Sequence, residues 1–116
     1  MTRIDDATRI RHMLDAASRA ETLTKKRQRA DLDQDDVLGL AVVRLLEILG
    51  EAARGVSSGM QQKHPEVPWQ QIVGTRNRVI HAYFNVDMDI VWHIVRDDLP
   101  VLIQQLGEVL RGEHDQ

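Results

Sequence analysis

The segment RNRVIHAYF, from Arg76 to Phe84, sets two arginines, an asparagine, a histidine and a tyrosine within eight positions. Histidine titrates near neutrality and can take or give a proton. Arginine stays charged and can grip two phosphate oxygens at once. Tyrosine joins an apolar ring to a polar hydroxyl. On one ideal helix, Arg76 and His81 would stand about 140° apart around the axis and about 7.5 Å apart along it. They would not converge on a small ligand from a single face. Either the helix loosens before His81 or the site is completed from elsewhere. Arg76 and Tyr83, seven apart, would share a face if the helix persisted. Each residue also has a purely structural reading: the histidine as a cap or core group, the arginine as a partner for Glu47 or Glu51, the tyrosine as a packing ring.

The elements that must position these groups read as helices. Ile4, Ala7, Ile10, Leu14 and Ala17 form a helical stripe, predicting a first helix from about Arg3 to about Leu23, with Thr2 and Asp5 resembling a capping arrangement. A polar connector follows, from about Lys25 to Asp33, whose basic residues suit a solvated helix end. The second helix is predicted from Asp33 or Asp35 to about Ser58. Val37, Leu38, Ala41, Val42, Leu45, Ile48, Leu49 and Ala52 make its core face, while Leu40, Val43 and Leu46 point elsewhere. One small core should not cover both faces, so the second face is expected to meet another chain. Glu47 and Gly50 lie on that side, with Arg44 and Glu51 at its margin. Gly50 costs a helix about 1 kcal/mol against alanine, which a closely approaching helix would offset.

HPEVPW breaks the chain, and Pro68 suits the first turn of a third helix carrying Trp69, Ile72, Val73, Arg76 and Ile80 on one face. Asn85 or Asp87 starts a fourth, with Asp87 and Asp89 as caps. Its stripe continues through Ile90, Val91, Ile94 and Val95 and is kinked or split near Pro100. The expected fold is all-α, an antiparallel four-helix bundle in one domain spanning residues 1–116, with a frayed tail at about 112–116. No period-two strand pattern stands out.

Composition narrows the function. With 116 residues, no cysteine and a formal charge of −3, thiolate chemistry and a strongly basic nucleic-acid-binding coat are excluded, though a local basic cleft is not. No apolar run approaches the roughly 20 residues of a membrane span, and MTRIDDATRI has no signal-peptide core. A cytoplasmic protein without a membrane partner is the expectation. His12, His64, His93 and His114 form no metal motif; Asp89 and His93, four apart, suit a side-chain pair better than a metal site. No metal and no cofactor are expected. Trp69 and Trp92 are assigned to the core.

The order Arg76, four residues, His81, one residue, Tyr83 resembles the RX4HXY motif of the HepT family of HEPN-domain toxins. GTRNRVIHAYFNVDMDIVW followed by DDLP is similar to that family's sequence around the motif, and LLEILGEAA, Leu45 to Ala53, is similar to its second-helix segment. The resemblance covers nearly the whole chain. It implies a HEPN bundle forming a two-fold homodimer and acting as a metal-independent endoribonuclease toxin. Its partner would be a minimal nucleotidyltransferase antitoxin. It further implies that Arg76 and His81 are catalytic, that Asn77 supports them, and that the antitoxin adds AMP to Tyr83. Glu47, Gly50 and Glu51 would lie at the interface or behind the site. RNA supplies its own nucleophile, the 2′-hydroxyl, so an acid, a base and a positive clamp suffice. The runner-up is a non-catalytic module that binds nucleotide or docks a nucleotidyltransferase; a structural dimeric bundle is the third reading.

Overall fold

Asp5 opens the first helix by accepting a hydrogen bond from the Thr8 amide at 2.7 Å. The computed structural model describes residues 4–81 and 85–114, so Thr2 lies outside it. Helix α1 runs Asp6–Thr24 and buries Ile10, Met13, Ala16, Ala17 and Ala20. The basic stretch after it is largely exposed, and a single turn, α2 (Asp31–Gln34), interrupts the expected connector. Asp35 then caps α3 (Asp36–Arg54), accepting from the Leu38 amide at 3.1 Å.

α3 ends four residues short of the predicted Ser58. Gly55 closes it, and Ser57 caps a separate short helix, α4 (Ser58–Lys63). The Ser57 amide and hydroxyl donate to the two oxygens of Asp6 at 2.8 and 2.6 Å. This clasp fixes the start of α1 beside the end of α3, so the two helices are antiparallel.

The expected third long helix is delivered in pieces. α5 (Trp69–Val73) and α6 (Thr75–Val79) are separated by Gly74, and the chain leaves the helix at Ile80. A two-residue strand β1 (Ile80–His81) pairs antiparallel with β2 (Asn85–Val86), in the register Ile80↔Val86 and His81↔Asn85. This small ladder is absent from the sequence-based expectation because two residues are too few to show alternation.

Asp87 caps α7 (Met88–His93), accepting from the Asp89 and Ile90 amides. One π-turn, Ile94–Asp98, leads into α8 (Leu99–His114). The Leu99 amide reaches back to the Ile94 carbonyl. Pro100 follows at once. It has no N–H, and its ring would clash with the carbonyl four residues back in a regular helix. The wide turn before Pro100 is the predicted division of the last helix. α8 outlasts the predicted fraying point: Glu113 contacts Lys63 at 2.9 Å and His64 at 3.0 Å.

α1 packs against both α3 and α8, while α5 and α6 lie across α3. α3 is thus covered on two sides by its own chain. This overturns the expected back face: Leu46 is wholly buried and Val43 nearly so. Leu40 does stay exposed, but so does Val37, which was assigned to the core face; their exposures are 72% and 77%. Burial of each such core leucine contributes about 1.5–3 kcal/mol. Among the described residues, no helix is long and apolar enough to cross a membrane.

Candidate functional site

Gly50 decides where the polar segment sits. A Cβ at this position would lie 3.2 Å from the Ile72 carbonyl oxygen and 3.7 Å from that of Val73. Both are backbone atoms of α5 and cannot swing aside like a side chain. The missing side chain therefore lets α5 rest on α3 and sets the start of α6. The neighbouring helix expected to approach Gly50 is α5 of this same chain.

That contact forms a cleft of about 160 Å³ lined by Glu47, Gly50, Glu51 and Arg54 of α3, Val73 of α5 and Arg76 of α6. The structure therefore brings Arg76 together with Glu47, Gly50 and Glu51. Arg76 and Asn77 are exposed. Neither acid pairs with Arg76: Arg44 lies 3.8 Å from Glu47 and 3.4 Å from Glu51. Among the described residues, the Arg76 guanidinium has no ion-pair partner. An unpaired guanidinium at a cleft wall can take a phosphate without first breaking a contact.

The helix stops before His81. Ile80 adopts extended torsions, φ −105° and ψ 111°, and His81 is held in the ladder opposite Asn85. The Asp87 amide donates to the Val79 carbonyl at 2.7 Å, closing the ladder at its base. The helical angle between Arg76 and His81 consequently does not apply: the loosening anticipated as one option is what occurs. Tyr83, the expected modification site, lies outside the described residues.

One group at the cleft escaped the sequence reading. Arg54 lines the Arg76 cleft, and its signal was spacing: it stands four residues after Gly50 and seven after Glu47, on the same helical face. On the other side of α6, Arg78 meets Asp98 at 3.7 Å, tying α6 to the π-turn. His93 contacts Asp97 at 2.7 Å and lies 3.8 Å from Asp98. His93 thus pairs forward, not back to Asp89, which instead accepts from Arg29 at 2.7 Å. Trp69 is buried as expected, donating its ring N–H to the His64 carbonyl at 2.9 Å. Trp92 is only half-buried, with the Arg96 guanidinium carbon 4.3 Å from its ring centre. Among the described residues, no group of three or more potential metal ligands gathers.

Residues 13–109 match the family model described as Ribonuclease HepT-like. The chain belongs to this HepT-like ribonuclease family of the HEPN superfamily, a class of RNA-cleaving enzymes. It is 41% identical over 83 residues to "Putative RNase TTE0752" of Caldanaerobacter subterraneus subsp. tengcongensis, covering 72% of this chain and 74% of that one. It is 35% identical over 94 residues to "Putative RNase MJ1380" of Methanocaldococcus jannaschii, covering 81% and 86%. It is 44% identical over 62 residues to "Probable ribonuclease HepT" of Thermococcus cleftensis, covering 53% and 56%. No solved structure matches.

Proposed function

We propose that this protein is the toxin of a toxin–antitoxin pair, a metal-independent endoribonuclease in which Arg76 and His81 act on RNA within a cleft shared by two copies of the chain. The observation that carries the reading is the state of Arg76: exposed, at a cleft wall, and unpaired among the described residues although two carboxylates line the same cleft. The family match supports RNA as the substrate.

In the proposed reaction the 2′-oxygen attacks the adjacent phosphorus as its proton is removed. The bond from phosphorus to the 5′-oxygen breaks, and that oxygen takes a proton. The products are a 2′,3′-cyclic phosphate and a free 5′-hydroxyl. His81 of one copy and His81 of the partner subunit supply base and acid, while Arg76 neutralises charge gathering on the phosphate oxygens. Asn77, next to Arg76 and exposed, assists by hydrogen bonding. A two-fold pair doubles every group in the shared cleft. Val37 and Leu40, exposed near the start of α3, are apolar surface available to such a pairing.

Silencing follows from AMP addition to Tyr83 by a nucleotidyltransferase antitoxin. A phosphodiester two residues from His81 would repel RNA and compete for Arg76. Tyr83→Phe is expected to free the toxin from an active antitoxin; unchanged control would remove this residue from the regulation.

The enzyme reading is tested by incubating RNA with wild type, Arg76→Ala and His81→Ala in the presence of chelator. Wild type cleaves, and both variants lose activity. Retained cleavage in both would remove these residues from the chemistry. RNA or nucleotide binding without cleavage by wild type would favour the docking module instead.

A further inference from the structure

The Arg76 cleft holds a second cation that the proposed chemistry leaves unused. Arg54 stands in the last turn of α3, is exposed, and lines the same 160 Å³ space. Among the described residues it too has no ion-pair partner, since Arg44 lies beside both acids of the cleft. The local inventory is Arg44, Arg54 and Arg76 against Glu47 and Glu51, a net positive patch on a chain whose formal charge is −3. Gly50 lines the same space, and its missing side chain lets the α5 backbone carry Arg76 of α6 in beside Arg54 of α3. Two cations from different helices lining one cleft suit an anion with more than one charged group, such as consecutive backbone phosphates.

We propose that Arg54 grips a backbone phosphate flanking the one served by Arg76, so that the cleft is a two-phosphate track for single-stranded RNA. Arg44 is its positioning residue: by holding Glu47 and Glu51 it keeps those carboxylates from neutralising Arg54 and Arg76. The inference rests on the ribonuclease reading above.

The test measures binding of a fluorescent single-stranded RNA oligonucleotide across a KCl series, with every variant in a His81→Ala background so that RNA survives. Arg54→Ala should weaken binding about tenfold at low salt and reduce the slope of log affinity against log salt by about 0.7, one phosphate contact on a single strand. Arg54→Lys should keep the slope, since the charge remains, and lose part of the affinity with the two-pronged geometry. Arg44→Ala should also weaken binding, and adding Glu51→Gln should restore it, which a merely structural role for Arg44 would not produce.

Unchanged affinity in Arg54→Ala overturns the proposal. So does weaker binding with an unchanged slope, or an altered oligomeric state by sedimentation, either of which makes Arg54 a packing or interface residue. If wild type cleaves RNA and Arg54→Ala binds it normally, the track fails while the ribonuclease reading stands. If wild type neither binds nor cleaves RNA, both fall together.

Discussion

The α1–α3–α8 frame and the segment from Arg76 to Val86 are built by opposite rules. In the frame, apolar residues recur at helical spacing and vanish into one core, as with Ile10, Met13, Leu46, Leu49 and Leu106. The segment changes from helix to strand within five residues and leaves Arg76 and Asn77 exposed. The first region holds the core and the second the proposed chemistry, and Gly50 is where the two meet.

Arg76→Ala should separate the two most sharply. RNA cleavage should fall by about 10²–10⁴-fold, while the unfolding free energy stays within about 0.5 kcal/mol, as for an exposed side chain. Paired cleavage and denaturation measurements check this; a large loss of stability would mean Arg76 belongs to the frame.

Leu46→Ala should do the reverse. Leu46 is wholly buried, so chemical denaturation should show a loss of about 2–5 kcal/mol. Activity per folded molecule should survive. Were Leu46 instead at a surface between copies, the loss would appear in dimerisation.

Asp6→Ala cuts the clasp to Ser57 and leaves two donors at the start of α4 without their acceptor. A loss of about 1–3 kcal/mol is expected, with cleavage unchanged.

Gly50→Ala tests the coupling itself. A helix gains about 1 kcal/mol from this exchange, but the new Cβ meets the Ile72 carbonyl at 3.2 Å. The melting temperature should move by only a few degrees while cleavage drops severalfold, because α5 and α6 must shift. Unchanged activity would uncouple the cleft from the frame.

The smallest effect is in acid. Glu113 titrates below its ordinary value of 4.5, held first by its hydrogen bond with Lys63 and next by that with His64. A depressed carboxyl contributes stability above its unfolded pKa and loses it as pH falls through the folded one. Glu113→Gln should therefore flatten the decline in stability below about pH 4.5 and change little at neutrality, as read by denaturation at stepped pH.

How much was legible in the sequence follows the same division. Asp35 and Asp87 cap as their types and positions suggest, and Pro100 marks the altered last helix because its chemistry leaves few options. The stripe of α3 placed Leu38, Val42, Leu45, Leu49 and Ala52 in the core correctly, whereas that of α1 gave Ile10 and Ala17 but missed Met13, Ala16 and Ala20 and included the exposed Ile4. The second face of α3 was misread because periodicity shows that a face is apolar, not what covers it. Here α1, α2, α5 and α6 all pack on α3 within the chain, and Leu46 and Val43 are buried. The break at Gly74 and the ladder after Ile80 were invisible for a related reason, though loosening before His81 was one option: five-residue helices and a two-residue ladder are held by tertiary contacts rather than local propensity. For the site, residue types and spacing singled out Arg76, yet only the structure shows that Arg44 engages the acids expected to pair with it.

The most direct test of the central claim is the chemistry of the cut ends. Mass spectrometry of an oligoribonucleotide cleaved by the wild-type protein in excess chelator should find 2′,3′-cyclic phosphate and 5′-hydroxyl termini, the signature of attack by the substrate's own 2′-oxygen. Products ending in 3′-hydroxyl and 5′-phosphate, or cleavage that stops when metal is withdrawn, would contradict the roles given to Arg76 and His81.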